Sequence, residues 1–297
     1  MMQIEKISEH LKSIETRGFV ELGDVVSDEL IKRLDQSIEM PLSVPTINGR
    51  KGYVQSGNTR FLFLTLSWAR EIIEVYTNPM IIELMDRYAE SPVHLSNYRI
   101  YRTFPSKITK MQWHVDNKID TYNSEKNKFE IQMVKKDKGI IMIMYLSDVE
   151  DGGLQIVEGS HKWSFEYEKE TWDDAERDFQ DKIVTFNNRG RGTAILYDYR
   201  CIHRAKPYEG GQVRTSLFGQ YSPSWMPMGE PILLNTRDIS DLSDLQKRVL
   251  RFGCLPSSEN WPIGNPEEIF DTLGINVIST LKFNLVSQVR NLLRKSF

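Results

Sequence analysis

Cysteine is nearly absent from this sequence: Cys201 and Cys254 are the only two among 297 residues. Two cysteines make no disulfide framework, which excludes a small bridge-stapled secreted scaffold and makes a reducing, cytoplasmic compartment the expectation. Also missing is any apolar run near the roughly 20 residues that span a bilayer. The start, Met1-Met2-Gln3-Ile4-Glu5, lacks a basic-then-apolar leader pattern. Neither charge sign dominates: the net charge is −3, so there is no global pull toward nucleic acid. Internal repeats and low-complexity tracts are absent as well. What is present is the composition of an ordinary soluble globular protein, with 40 % apolar and 27 % charged residues. The length suffices for a substantial core.

Periodicity orders the chain into three regions. Ile4, Ile7, Leu11 and Ile14 recur at helical spacing until Gly18, and an apolar, β-rich stretch runs over 19–26. Ser27 caps a second helix with Leu30, Ile31, Leu34 and Ile38 on its apolar face. Prolines and glycines over 41–57 predict a loop at the mouth of a site, followed by helices over 67–76 and 79–88, the latter with Asn78 as N-cap. From Pro92 the period becomes that of strands, with Asn97, Arg99 and Tyr101 on one face and Tyr98, Ile100 and Arg102 on the other. Residues 117–138 are polar and lysine-rich and read as a lid or a solvated loop. Residues 139–146 are apolar on both faces, as in a central strand, and 163–182 form an acidic exposed insertion. Strands follow over 193–197 and 217–221, an arrangement that predicts an antiparallel barrel or jelly roll. Beyond Pro223 helices return: Ser243 and Gln246 make a capping box, Gly253 marks a helix end and Asn265 opens another helix. Residues 281–297 form a basic amphipathic helix, with Lys282, Arg290, Arg294 and Lys295 and no acid, able to make weak contact with a membrane surface or to pack on its own domain.

The chemistry-bearing stretch is Gln112-Trp113-His114-Val115-Asp116. On a strand, His114 and Asp116 share a face with Cα atoms roughly 7 Å apart, two rises of about 3.3 Å. Two such side chains can converge on one metal. Downstream stand His203 and then Val213-Arg214-Thr215-Ser216. Two histidines and one carboxylate compose the facial triad of non-haem Fe(II) oxygenases. The same three groups also suit a catalytic zinc.

These motifs, with Tyr145-Leu146-Ser147-Asp148-Val149, Gly152-Gly153-Leu154 and Gly159-Ser160-His161-Lys162, resemble the phytanoyl-CoA hydroxylase (PhyH-like) family of Fe(II)/2-oxoglutarate dioxygenases over about 94–221. Arg17-Gly18-Phe19-Val20 echoes the family's entry strand, while Gln155 and Glu158 stand where the family often has prolines. The resemblance implies a mostly β, α+β fold: a double-stranded β-helix (jelly-roll, cupin-like) core over about 94–223, a helical flank over 1–90 and another over 224–297, all one domain.

By the same resemblance, His114, Asp116 and His203 hold Fe(II), and the cosubstrate 2-oxoglutarate chelates it and reacts with O2. Arg214 pairs with the cosubstrate's far carboxylate, since a guanidinium forms two parallel hydrogen bonds there. Ser216, on the same strand face, donates a third. Tyr101 and Asn97 face the same way and are further cosubstrate contacts. Trp113 reads as packing, His161 as a structural turn residue and His10 as solvent-facing. The expected reaction is hydroxylation of an unactivated C–H bond in a small-molecule or lipid-like substrate. Asp116 argues against halogenation, for which relatives have Gly or Ala at that position. Two rival readings stand beside it: a zinc hydrolase, which leaves Arg214 and Ser216 without purpose, and a jelly roll that binds a ligand without catalysis.

Overall fold

The computed structural model describes residues 2–23, 25–106, 112–116, 118–123, 128–133, 138–163, 175–224, 226, 232–234 and 239–252. The helices read over 265–274 and 281–297, the helix end at Gly253, and Cys254 lie outside these residues.

Helix α1 (Met2–Arg17) leads into strand β1 (Phe19–Leu22), then α2 (Asp28–Ser43). Gly18 makes the break, with φ +90°, a conformation glycine takes at no steric cost. A Cβ there would stand 2.5 Å from Cys201 Sγ and 2.6 Å from His161 Nδ1. Ser27 accepts from Leu30 N and caps α2 as expected. The helix does not stop at Pro41 but runs through it to Ser43. Proline removes one helical hydrogen bond, while the next residue, Leu42, is completely buried. Packing outweighs the local penalty.

The region expected to be a loop is instead two hairpins. Strands β2 (Thr46–Ile47) and β3 (Arg50–Lys51) form one, and β4 (Val54–Ser56) and β5 (Thr59–Phe63) the other. Helices α3 (Ile72–Tyr76) and α4 (Pro79–Ala89) precede the long strand β6 (Val93–Thr103), and Asn78 caps α4 through Met80 N and Ile81 N. The lysine-rich segment is a hairpin of β7 (Lys118–Asn123) and β8 (Lys128–Met133) rather than a plain loop. Next come β9 (Ile140–Tyr145), β10 (Leu154–Val157), α5 (Ala175–Asp178), β11 (Ile183–Thr185), β12 (Ala194–Asp198), β13 (His203–Ala205), β14 (Arg214–Pro223) and α6 (Asp244–Val249). The capping box of Ser243 and Gln246 is present at the start of α6.

Two antiparallel sheets carry the core. The larger has seven strands in the order β1-β12-β9-β14-β6-β5-β4, and the smaller has three, β11-β10-β13. The region read as a helical flank, 1–90, thus contributes three strands to the larger sheet. Strand β9 is buried on both faces because each face meets a different layer. Ile140, Met142 and Met144 pack under the helices with Leu34, Ile38 and Ile81. Ile141, Ile143 and Tyr145 face Leu154 and Ile156 of the smaller sheet. The space between the two sheets holds the site. The acidic insertion is only partly exposed where described: Ala175 is buried in a third cluster with Trp113, Val115, Val157 and Ile202. Among the described residues no helix is long and apolar enough to cross a membrane.

Candidate metal centre

Residues 112–116 do not form a regular strand. A single antiparallel bridge joins His114 to His203, with His114 N donating to His203 O at 3.0 Å and His203 N to His114 O at 2.9 Å. Asp116 N then donates to Tyr199 O at 3.0 Å. The alternation predicted for a strand survives nonetheless. Trp113 and Val115 are each 1 % exposed in the third cluster, so His114 and Asp116 turn to the opposite side, into the cavity. Trp113 also lies beneath the Arg204 guanidinium, 4.5 Å from its ring centre.

Each histidine is oriented by a backbone carbonyl two residues earlier. His114 Nδ1 lies 2.6 Å from Gln112 O, and His203 Nδ1 lies 3.0 Å from Cys201 O. A carbonyl only accepts, so both Nδ1 atoms carry the proton and both Nε2 atoms present a lone pair. Those Nε2 atoms lie 3.6 and 3.3 Å from the Asp116 oxygens. A ligand atom from each of the three residues falls within 4.8 Å of the others. Donors about 2.1 Å from one metal stand roughly 3.0 Å apart on an octahedral face and roughly 3.4 Å apart in a tetrahedron, so the spacing suits iron and zinc alike. Burial would raise the Asp116 pKa, but once His203 and His114 take up a second proton on Nε2, their charge and the His203 hydrogen bond, with help from Arg99, bring it down to about 2. The carboxylate is therefore ionised and anionic at neutral pH.

The turn after β12 registers all three groups. Asp198 is wholly buried. Its Oδ1 accepts from Arg200 N and Nε, both at 2.8 Å. Its Oδ2 accepts from Arg200 Nη2 and from the Tyr88 hydroxyl, both at 2.5 Å. Held this way, the turn supplies Tyr199 O to Asp116, Cys201 O to His203 Nδ1, and His203 itself to the bridge with His114. Phe19 of β1 pairs opposite Tyr197, whose ring packs 4.8 Å from that of His203.

One cavity of about 240 Å³ brings together all seven residues read from the sequence: Asn97, Tyr101, His114, Asp116, His203, Arg214 and Ser216. Arg214 begins β14 opposite Thr103, and Ser216 lies between Tyr101 and Tyr145. Arg214 is 7 % exposed, its guanidinium sits 5.4 Å from the Tyr208 ring centre, and its buried Nη1 has no hydrogen-bond partner. Burial pushes its pKa down by more than Tyr145, Tyr208 and Asp151 raise it, so desolvation of the cation dominates. The buried Asn97 Oδ1 also lacks a partner.

Arg99, Lys206, Tyr197 and Tyr208 line the same cavity and were not singled out in the sequence. Arg99 had a signal, since it shares the strand face of Asn97 and Tyr101; Tyr208 and Lys206 had none. His161 is structural as read, its Nε2 3.3 Å from Glu15 O. His10 is partly buried rather than solvent-facing, and burial lowers its pKa.

An interior cavity between two antiparallel sheets, with a His-Asp-His face and a buried arginine, fits the class of jelly-roll non-haem iron enzymes. More particularly, the family model for phytanoyl-CoA dioxygenase (PhyH) matches residues 14–216, and the chain belongs to that family of Fe(II)/2-oxoglutarate-dependent enzymes. No curated protein matches the sequence significantly. Several solved structures share the fold. The non-heme alpha ketoglutarate dependent carbocyclase SnoK from nogalamycin biosynthesis is 20 % identical, with TM-score 0.56 over 73 % of this chain and 83 % of that one. The epimerase SnoN from the same biosynthesis is 16 % identical, with TM-score 0.56 over 74 % and 84 %. HygX from Streptomyces hygroscopicus, with nickel and 2-oxoglutarate bound, is 16 % identical, with TM-score 0.56 over 79 % and 93 %.

Proposed function

We propose that the chain is an oxygenase that hydroxylates an unactivated C–H bond of a small-molecule or lipid-like substrate while converting 2-oxoglutarate to succinate and CO2. One observation carries this reading: a buried arginine with an unpartnered Nη1 shares a cavity with a His-Asp-His face. A zinc hydrolase gives that cation nothing to do, whereas a dicarboxylate cosubstrate gives it a partner. A binding module without catalysis would not require the ionised Asp116 between two histidines whose Nδ1 atoms are both tied to carbonyls.

In this reading His114, Asp116 and His203 hold Fe(II), and Arg214 with Ser216 holds the far carboxylate of 2-oxoglutarate. Tyr101 and Asn97 contact the cosubstrate from β6. Bound together, iron, 2-oxoglutarate and O2 supply the oxidising power to break a C–H bond and deliver a hydroxyl group. The protein's own part is positioning. Asp116 contributes the only anionic ligand, and because it is present rather than a Gly or Ala, no ligand position is opened for a halide. Ile143, Leu154 and Phe218 keep the cavity wall apolar, which limits water at the reacting centre. The β7–β8 hairpin follows Asp116 directly and serves as a lid.

Relatives by fold include an epimerase and a carbocyclase, so the likeness does not choose the outcome; Asp116 speaks against halogenation, and hydroxylation is the reading proposed. HygX, another relative by fold, is seen with hygromycin B, which favours a small-molecule substrate here too. Anaerobic addition of Fe(II) and 2-oxoglutarate should produce the weak visible absorption of a chelated keto acid, and His114→Ala and His203→Ala should each abolish it. Absorption that persists in both variants would place the metal elsewhere. With oxygen, slow succinate release without substrate should fall sharply in Asp116→Ala.

A further inference from the structure

We infer that the substrate is an anion with a flat apolar body, and that it extends past Phe61 from the metal cavity into a second cavity beside it. This rests on the oxygenase reading of the site. The metal cavity, at about 240 Å³, is smaller than the roughly 300–1,000 Å³ usual for a drug-sized ligand. It must also hold the cosubstrate. Only the reacting end of a sizeable substrate fits there.

The second cavity measures about 440 Å³, and Phe61 lines both. Its ring stands edge-on to Tyr101, with centres 5.1 Å apart at 73°, and lies alongside Phe63 at 6.3 Å. Tyr101 in turn sits opposite Ser216. A single aromatic ring is thus the partition between the space near the cosubstrate and the space beyond. The far walls are Tyr53, Phe63 and Trp68, with Leu64 between them. Flat rings of this kind receive a flat apolar group in stacked or edge-to-face contact.

Charge supplies the second half of the argument. Arg50 and Lys51 line the second cavity and no acid does. Neither has an ion-pair partner among the described residues. Arg99 faces the metal cavity with its guanidinium 4.9 Å from the Phe63 ring centre. Cations thus stand at both ends of the route past Phe61, Arg99 on the metal side, where Asp116 is the one acid of the lining, and Arg50 with Lys51 beyond, in a chain whose net charge is −3. Such a local reversal of sign concentrates anions.

The test is fluorescence titration of the full chain with 1-anilinonaphthalene-8-sulfonate, a flat anion, beside neutral N-phenyl-1-naphthylamine. Arg50→Glu/Lys51→Glu, on exposed positions, should weaken the anion at least tenfold and leave the neutral probe within twofold. Trp68→Phe, chosen to keep the fold, should reduce tryptophan-sensitised emission from the bound probe. In protein loaded with Fe(II) and 2-oxoglutarate, the anionic probe should shift the visible absorption band. Anion binding that ignores both variants, or a charge reversal that weakens both probes equally, overturns the inference. A probe that binds at Arg50 and Lys51 without moving the band overturns the continuity through Phe61. The oxygenase reading is judged separately: if the band never forms while the probe still follows Arg50 and Lys51, that reading fails and the anionic aromatic site stands.

Discussion

Arg214 offers the sharpest test of the site, because its removal should move two measurements in opposite directions. Its side chain is nearly enclosed, its Nη1 has no partner, and burial lowers its pKa. Without cosubstrate it is a desolvated charge that weakens the fold. Replacing a whole buried ion pair by apolar side chains is often neutral or stabilising by about 1–4 kcal/mol, and Arg214 holds no ion pair among the described residues to be broken. Arg214→Met should therefore leave the melting temperature of the metal-free protein unchanged or higher. With cosubstrate present, the same change strands a carboxylate in a buried pocket, a loss of about 3–5 kcal/mol. At about 1.4 kcal/mol per tenfold, the 2-oxoglutarate dissociation constant should rise by roughly two to three and a half orders of magnitude. Iron affinity should hold, since Arg214 is not among the three groups that converge. Arg214→Lys should fall between, keeping the charge but losing the paired hydrogen bonds. The assay is anaerobic titration of the iron-loaded protein with 2-oxoglutarate, paired with thermal unfolding of the metal-free form. Unchanged cosubstrate affinity refutes the role. A melting temperature that collapses together with affinity makes Arg214 a structural cation instead.

Two further outcomes follow from buried polar groups. Asp198→Asn keeps the shape of the side chain but sets an amide against the Arg200 and Tyr88 donors, so the turn that orients His203 and Asp116 should loosen. Iron affinity should fall about 10–100-fold, as for other outer partners of metal ligands, and Tyr88→Phe should give a smaller loss of the same kind; a folded Asp198→Asn protein with wild-type iron affinity contradicts this. His94 is 4 % exposed, and burial, aided by Arg251, lowers its pKa from 6.5 to about 4. The unfolded chain takes up this proton below pH 6.5 and the folded chain only near pH 4, so stability should decline as pH falls through that window. Between pH 7 and pH 5 the loss is about 2 kcal/mol from this group. Urea unfolding of His94→Leu should lack that share of the decline, and equal slopes in both proteins would remove His94 from the account.

The candidate metal face was legible because it needs little context. His114 and Asp116 alternate with the apolar Trp113 and Val115, and Arg214 and Ser216 alternate along one strand, so residue type and period place each on the correct side. The same period placed Arg99 beside Asn97 and Tyr101, although no motif drew attention to it. Pairing was not legible. Residues 112–116 look like a strand, yet they are held by one bridge to His203 and one bond to Tyr199, partners far away in the chain. The hairpins over 46–63 carried a signal that the abundance of glycine and proline obscured. Asn48-Gly49, with φ 48° and 77°, is the dipeptide that favours two-residue hairpin turns. The network of Asp198, Arg200 and Tyr88 leaves no trace in any local window, because its tyrosine comes from a helix that precedes β6.

The pairing of β1 with β12 governs when the centre can come into being. Phe19 lies opposite Tyr197, and Gly18 O accepts from Asp198 N at 2.9 Å. Strand β1 must therefore wait for a neighbour made much later in the chain, and β9 must wait for both β12 and β14. Pairings of such long sequence separation fold slowly, because loop closure is opposed by entropy before any contact rewards it. His114 and Asp116 emerge well before His203, so a nascent chain holds two of the three ligands with no turn to orient them. Metal capture is consequently a late event, one that reports completed sheet assembly. Iron supplied during refolding should neither accelerate the slow phase nor bind until that phase is over.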